Sequence, residues 1–197
     1  MSSHHFVKEG QEPALLIMDA LGLPLIEPLL EWAPQVMVFE NALDQVLDWG
    51  IKIDVVIAKP DSGEILARKL ESQAPVKFLS DNAGEDVDLA LYFLISTRQK
   101  AVSIVTANAD ALFDKLDTFL PQLGITLLTD TVKWSGIASG SYKKWLPAAS
   151  RLLVHGYAMP ELPDGLKRSD GAYEVLRDGF VTMAPGTPFW VGEVIGN

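Results

Sequence analysis

Between Ile53 and Ala58 every side chain except Asp54 is aliphatic, and most are β-branched. Such a run suits a strand buried on both faces, the kind found inside parallel sheets. Pro60 ends it, because proline brings no N–H to a ladder and pushes Lys59 toward an extended conformation. Asp61, Ser62 and Gly63 follow, and Glu64 to Leu70 reads as a helix. Ser62 or Asp61 suits the cap of that helix. The same residues suit one wall of a ligand site, since in open α/β sheets ligands bind outside the carboxyl ends of the strands.

The pattern recurs on both sides of this stretch. Ala14 to Met18 reads as a strand ending at Asp19, and Leu21 to Trp32 as a helix with Pro24 and Pro28 in its early turns or at an irregular start. Val36 to Phe39 is a second strand. Asn41 suits the cap of a helix through Trp49, whose apolar face is Leu43, Val46 and Leu47 and whose end is Gly50. After the third strand and its helix come a strand at Val76–Leu79, a helix at Val87–Thr97, a strand at Ala101–Thr106, a helix at Asp110–Leu123 and a strand at Ile125–Leu128. Strands and helices alternating at this spacing predict an α/β fold with a parallel sheet covered on both faces.

Beyond residue 130 the helical periodicity fades. Val132–Trp134, Ser150–Tyr157, Ala172–Leu176 and Phe180–Met183 read as short strands. Asp-Gly pairs at 164–165, 170–171 and 178–179 suggest hairpins. Charge shifts at the same point. Residues 1–130 hold 9 Lys and Arg against 20 Asp and Glu, and residues 131–197 hold 7 against 6. A boundary near residue 130 is therefore expected, separating an α/β domain (1–130) from a small, sandwich-like all-β domain (131–197). The latter, about 65 residues, is marginal alone and should lean on its neighbour or on a partner chain. Its aromatics Trp134, Trp145, Phe189 and Trp190 suit either a core or a subunit interface.

Several functions are excluded or disfavoured. A net charge of −10 argues against sequence-independent nucleic-acid binding, which rests on neutralising phosphates. No apolar run approaches the ~20 residues needed to span a bilayer, so no membrane role is expected. Met1 to Gly10 lacks the basic start and apolar core of a signal peptide, and a cytoplasmic location is expected. With no cysteine there are no disulfides, thiolate metal sites or cysteine nucleophiles. Neither a G-x-x-x-x-G-K-[ST] nor a G-x-G-x-x-G after the first strand occurs, and Gly136 to Ser141 reads as a flexible loop. His155, inside a β-like run, reads as structural, and His4 and His5 sit near a terminus.

Carboxylates remain. Asp61 follows the third strand, and Glu85, Asp86 and Asp88 lie between the fourth strand and its helix. Neighbouring strand ends would bring these groups close. Oxygen-only sets suit Mg²⁺, which takes one or two carboxylates plus substrate phosphates. They equally suit a solvated acidic loop that compensates the dipole of the following helix. The loops carrying Asp19, Glu40–Asn41, Lys59–Ser62 and the group Asp81, Glu85 and Asp88 all follow parallel strands, so a cleft is expected at that edge.

This arrangement resembles the thiamine pyrophosphokinase family. The residues that carry the resemblance are Glu40-Asn41-Ala42 after strand two, Asp61-Ser62 after strand three and Glu85-Asp-Val-Asp88 before a helix. The family's motifs run roughly D-G-G-A, G-D-x-D-S, D-x-T-D and R-x-D-H. The resemblance implies a Rossmann-like domain followed by a β-sandwich, a homodimer, and pyrophosphoryl transfer from Mg-ATP to thiamine. It implies Asp61 and Asp88 as catalytic residues, Asn41, Lys59 and Ser62 as nucleotide contacts, and Asp61, Glu85 and Asp88 as Mg²⁺ ligands. Against the motifs, Glu40-Asn41-Ala42 replaces D-G-G, Ala58-Lys59 replaces the leading G-D, Glu85 replaces an Asp and Val87 a Thr. No R-x-D-H stands near Thr106 to Asp110. Three functions stay open: a divergent thiamine pyrophosphokinase, a non-catalytic relative that binds a nucleotide or thiamine, and an interaction protein that keeps only the fold.

Overall fold

Side chains that bury both faces of a strand fix the first half of the chain. A computed structural model describes residues 12–80, 87–159 and 161–195. It divides into two compact units, Met1–Thr106 and Ala107–Asn197. The change of charge and pattern near residue 130 falls inside the second unit.

The first unit holds β1 (Ala14–Ile17), α1 (Leu23–Leu30), β2 (Val36–Phe39), α2 (Leu43–Asp48), β3 (Val55–Ile57), α3 (Gly63–Lys69), β4 (Lys77–Leu79), α4 (Val87–Ser96) and β5 (Ala101–Val105). The sheet runs β5-β1-β2-β3-β4, parallel throughout. All residues of β1, β2 and β3 are buried. Each Leu, Ile or Val removed from water in this way stabilises the fold by about 1.5–3 kcal/mol. Pro28 lies inside α1, beyond the early turn where proline costs little, and the helix is held by Ile26, which is fully buried. Gly50, at φ 72°, closes α2 as its N–H donates to Leu47.

The caps differ from expectation. Asn41 caps no helix, because Glu40–Ala42 forms a 3₁₀ turn that runs into α2. Ser62 stands at the N-cap position of α3 but makes no side-chain cap hydrogen bond, because Pro60–Ser62 is likewise a 3₁₀ turn that runs into the helix.

The second unit holds α5 (Phe113–Leu116), β6 (Gly124–Leu128), β7 (Val132–Ile137), β8 (Tyr142–Leu146), β9 (Arg151–His155), β10 (Leu166–Ser169), β11 (Ala172–Val175), β12 (Gly179–Met183) and β13 (Phe189–Val194). The long helix expected over 110–123 is only the single turn of α5 flanked by turns. Strands β10-β11-β9-β13-β7-β6 form one antiparallel sheet, and β8 and β12 form a second. Tyr142, Leu146, Val181 and Met183 of the small sheet share a core with Leu152, Phe189 and Val191 of the large one. This is the expected sandwich-like β region, with β8, β10 and β13 added to the strands read from the sequence.

Asp170 and Gly171 have φ of 47° and 75° and join β10 to β11, with Ser169 opposite Ala172. Positive φ at both positions gives the primed turn that matches strand twist. Asp178-Gly179 makes no hairpin, because β11 and β12 lie in different sheets. Gly136 and Ile137, expected in a loop, belong to β7.

Gly192 sits where a Cβ would meet Trp134 and Val132 at 2.8 Å. Gly192→Ala should therefore lower unfolding stability by about 1–3 kcal/mol in urea titration. Tyr142 is the opposite case: it is buried, and its hydroxyl has no hydrogen-bond partner among the described residues. Burial, and then the charge of Glu193, push its ionisation upward. Tyr142→Phe removes an unpaired buried polar group and should raise stability by about 1 kcal/mol in the same titration.

Candidate functional site

In the first unit, four of the five parallel strands deliver described loops to one edge. β1 hands on to Asp19, β2 to Glu40, β3 to Lys59 and β5 to Thr106. The sheet order places β5 beside β1, whereas β2, β3 and β4 extend away on the other side. Strand order therefore reverses between β5 and β1, and that point opens a crevice in doubly wound sheets. There the Thr106 hydroxyl donates to Asp19 Oδ2 at 3.1 Å.

Two strands along, Glu40 does most of the joining. The Lys59 backbone N–H donates to its Oε2 at 2.9 Å, and the Ser62 hydroxyl donates to its Oε1 at 2.6 Å. Partial burial pushes the Glu40 carboxyl up, but the Ser62 hydroxyl, the Lys59 N–H and the Lys59 charge together hold it below the usual carboxylate range. Hydrogen bonds to a charged acceptor are the strong ones, and here they bind the end of β2 to the turn after β3. Lys59 itself is extended, at φ −65° and ψ 150°, and exposed.

Of the residues proposed from sequence, Lys59 and Ser62 are brought together through Glu40. Asn41 is exposed on the 3₁₀ turn beside Glu40. Asp61 is exposed on the turn after β3, and Asp88 is half-buried in the first turn of α4. Glu85, with Asp81 and Asp86, lies outside the described residues. Sequence reading placed Glu40 in the cleft without seeing its part as the common acceptor, and it did not pick Thr106 as a site residue. The signal for Thr106 was its place directly after a buried β-branched run.

Three solved structures show what this architecture is similar to. Thiamine pyrophosphokinase from Bacillus subtilis matches with a TM-score of 0.63 at 12% identity, over 93% of this chain and 100% of that one. The enzyme from Geobacillus thermodenitrificans gives 0.63 at 11%, over 93% and 98%. That from Candida albicans gives 0.61 at 11%, over 93% and 90%. The chain has the thiamine pyrophosphokinase fold. No family model matches the sequence, and no curated protein does so either.

Among the described residues no three His, Cys, Asp or Glu side chains gather to hold a metal ion. Both oxygens of Glu40 already accept hydrogen bonds. Asp61 and Asp88 are the described carboxylates of the expected Mg²⁺ set, and one or two carboxylates with substrate phosphates suffice for that ion.

The Glu40 bracket carries a pH signature. A carboxyl held below its ordinary range stabilises the fold fully above that range, and the stabilisation is lost as pH falls through the lowered value. Wild type should exceed Glu40→Gln in melting temperature at neutral pH. The gap should close on acidification below about pH 4, from the ordinary carboxylate region down through the lowered value. A gap that stays constant from neutral to acid pH would show that the charge on Glu40 does not matter.

Proposed function

We propose that this protein is a relative of thiamine pyrophosphokinase that binds a nucleotide or thiamine at the carboxyl edge of its first sheet and does not transfer the pyrophosphoryl group. It acts as a pseudoenzyme in the cytoplasm, as a homodimer. The observation that carries the reading is that Glu40 fixes the backbone of Lys59, the residue that the sequence resemblance sets at the motif position of an aspartate. An ammonium about 4 Å from Mg²⁺ repels it by several kcal/mol at an effective dielectric near ~20. Towards a phosphate the same point charge attracts. Pyrophosphoryl transfer depends on metal ions and placed cations to stabilise the transition state, so replacing this Asp removes a main contributor. Support for the dimer comes from Trp145 and Phe180, which lie directly opposite each other on β8 and β12 and are 52% and 64% exposed.

The test has three parts. A coupled assay with Mg-ATP and thiamine should release no AMP above background. Calorimetry should show weak Mg-ATP binding, strengthened about tenfold or more in Lys59→Asp, which removes a positive charge and adds a negative one. Thermal stabilisation by ATP without metal, or by thiamine, then names the ligand, because binding to the native state raises stability by mass action. Steady AMP release sinks the proposal. Failure of both ligands to raise the melting temperature leaves the interaction protein as the surviving reading.

A further inference from the structure

In the second unit, the hairpin of β10 and β11 and the segment that follows β9 enclose a groove of about 600 Å³. This is within the range of small-molecule sites. Leu166 and Val175 lie opposite each other on the hairpin and belong to the sandwich core. Two residues along, Arg168 and Tyr173 are opposite each other and so share that face. Apolar side chains suit this phase, and Tyr173 packs partly buried against the core. Arg168 breaks the pattern with a permanent charge.

The guanidinium is held in place. Its Nη2 donates at 2.9 Å to the carbonyl of Met159, a buried residue, and both Arg168 and Met159 line the groove. The remaining guanidinium donors have no hydrogen bond and no ion pair among the described residues. A planar fork with free donors accepts a carboxylate through paired N–H···O bonds.

The surrounding charge decides what else the ligand carries. Among the described residues, Arg168 and Asp170 are the charged ones that line the groove; Lys167, Glu174 and Arg151, on the other face of the sheet, do not. Asp170 has no ion-pair partner among the described residues, Arg168 included. Two residues separate it from Arg168, about 7 Å of strand, which is inside the ~8 Å over which charges act at physiological salt. A bare anion on Arg168 therefore meets repulsion from Asp170, and a ligand that also bears an ammonium is attracted by both. Ala158, Met159 and Ala172 add apolar surface for an uncharged body.

We infer that this groove binds a small zwitterion of the α-amino acid type, with its carboxylate on Arg168 and its ammonium toward Asp170. The groove shares no residue with the carboxyl edge of the first unit, so the failure of either reading leaves the other untouched.

The probes are L-phenylalanine, hydrocinnamate, which lacks the ammonium, and phenethylamine, which lacks the carboxylate. Titrations of the full chain followed by ¹⁵N–¹H spectra should show L-phenylalanine binding about tenfold more tightly than either, with shifts at the Gly171 and Tyr173 N–H groups. Asp170→Asn suits the turn, because Asn tolerates positive φ as Asp does. It should bring L-phenylalanine down to the affinity of hydrocinnamate without weakening hydrocinnamate. Arg168→Gln should bring L-phenylalanine down to the affinity of phenethylamine, and the Asp170→Asn result stands even where Arg168→Gln does not fold. Equal affinity for the three probes, L-phenylalanine binding unchanged in Asp170→Asn, or no shift in the hairpin overturns the inference.

Discussion

The Glu40 carboxylate sets the geometry of the candidate site. A parallel sheet brings loops from neighbouring strands to one edge but does nothing to hold them against each other. Here one anion accepts from a backbone N–H and a hydroxyl 19 and 22 residues away. Partial burial opposes its ionisation and the donors overcome that opposition. The turn after β3 thereby gains a fixed orientation without any helix cap. Lys59 follows from it, because a backbone pinned at its own N–H has only the side chain left to present outward.

What the sequence reveals depends on whether a residue's partner is near it in the chain. The strands of the first unit are readable because burial on both faces demands runs such as Leu15-Leu16-Ile17 and Val55-Val56-Ile57. The Asp170-Gly171 hairpin is readable because the turn's chemistry is local. Ser62 reads as a cap for the same local reason and stands at the N-cap position of α3, yet its backbone is αR (φ −86°, ψ −12°) rather than extended, and its hydroxyl donates to a distant carboxylate and makes no cap bond. β8 escapes notice because Lys144, on its inward-facing phase, breaks the apolar alternation. Its charge is met by Glu193 of β13 at 2.6 Å, a partner 49 residues away. β13 is hidden by Pro188 before it and Gly192 within it, both signs of a turn, although Gly192 is there to let Trp134 lie flat against the strand.

The aromatics of the second unit show how packing resolves an open reading. Trp190 is fully buried, donates its indole N–H to Asp117 at 2.7 Å, and lies 5.2 Å from Phe113. Phe113 also stacks on His155 at 4.1 Å and meets Trp134 edge-on at 4.9 Å. One four-ring cluster thus absorbs Trp134, Trp190 and His155, which accounts for the structural role of that histidine. Phe189 is buried in the sandwich core. Of the four aromatics that suited an interface, only Trp145 remains at the surface, where Phe180 extends it and Lys143 lies 5.1 Å over the Phe180 ring.

The carboxyl edge of the first unit carries two hydrogen-bonded groups, and their separation bears on the proposed site. Asp19–Thr106 marks the reversal between β1 and β5, and Glu40 with Lys59 and Ser62 lies across β2 and β3. Adjacent strands are about 4.8 Å apart, so the centres of the two pairs lie two spacings, about 10 Å, from each other. Inorganic phosphate is too small to touch both. Under the proposed reading, a ligand held by Lys59 that also reaches the reversal between β1 and β5 is therefore an elongated molecule.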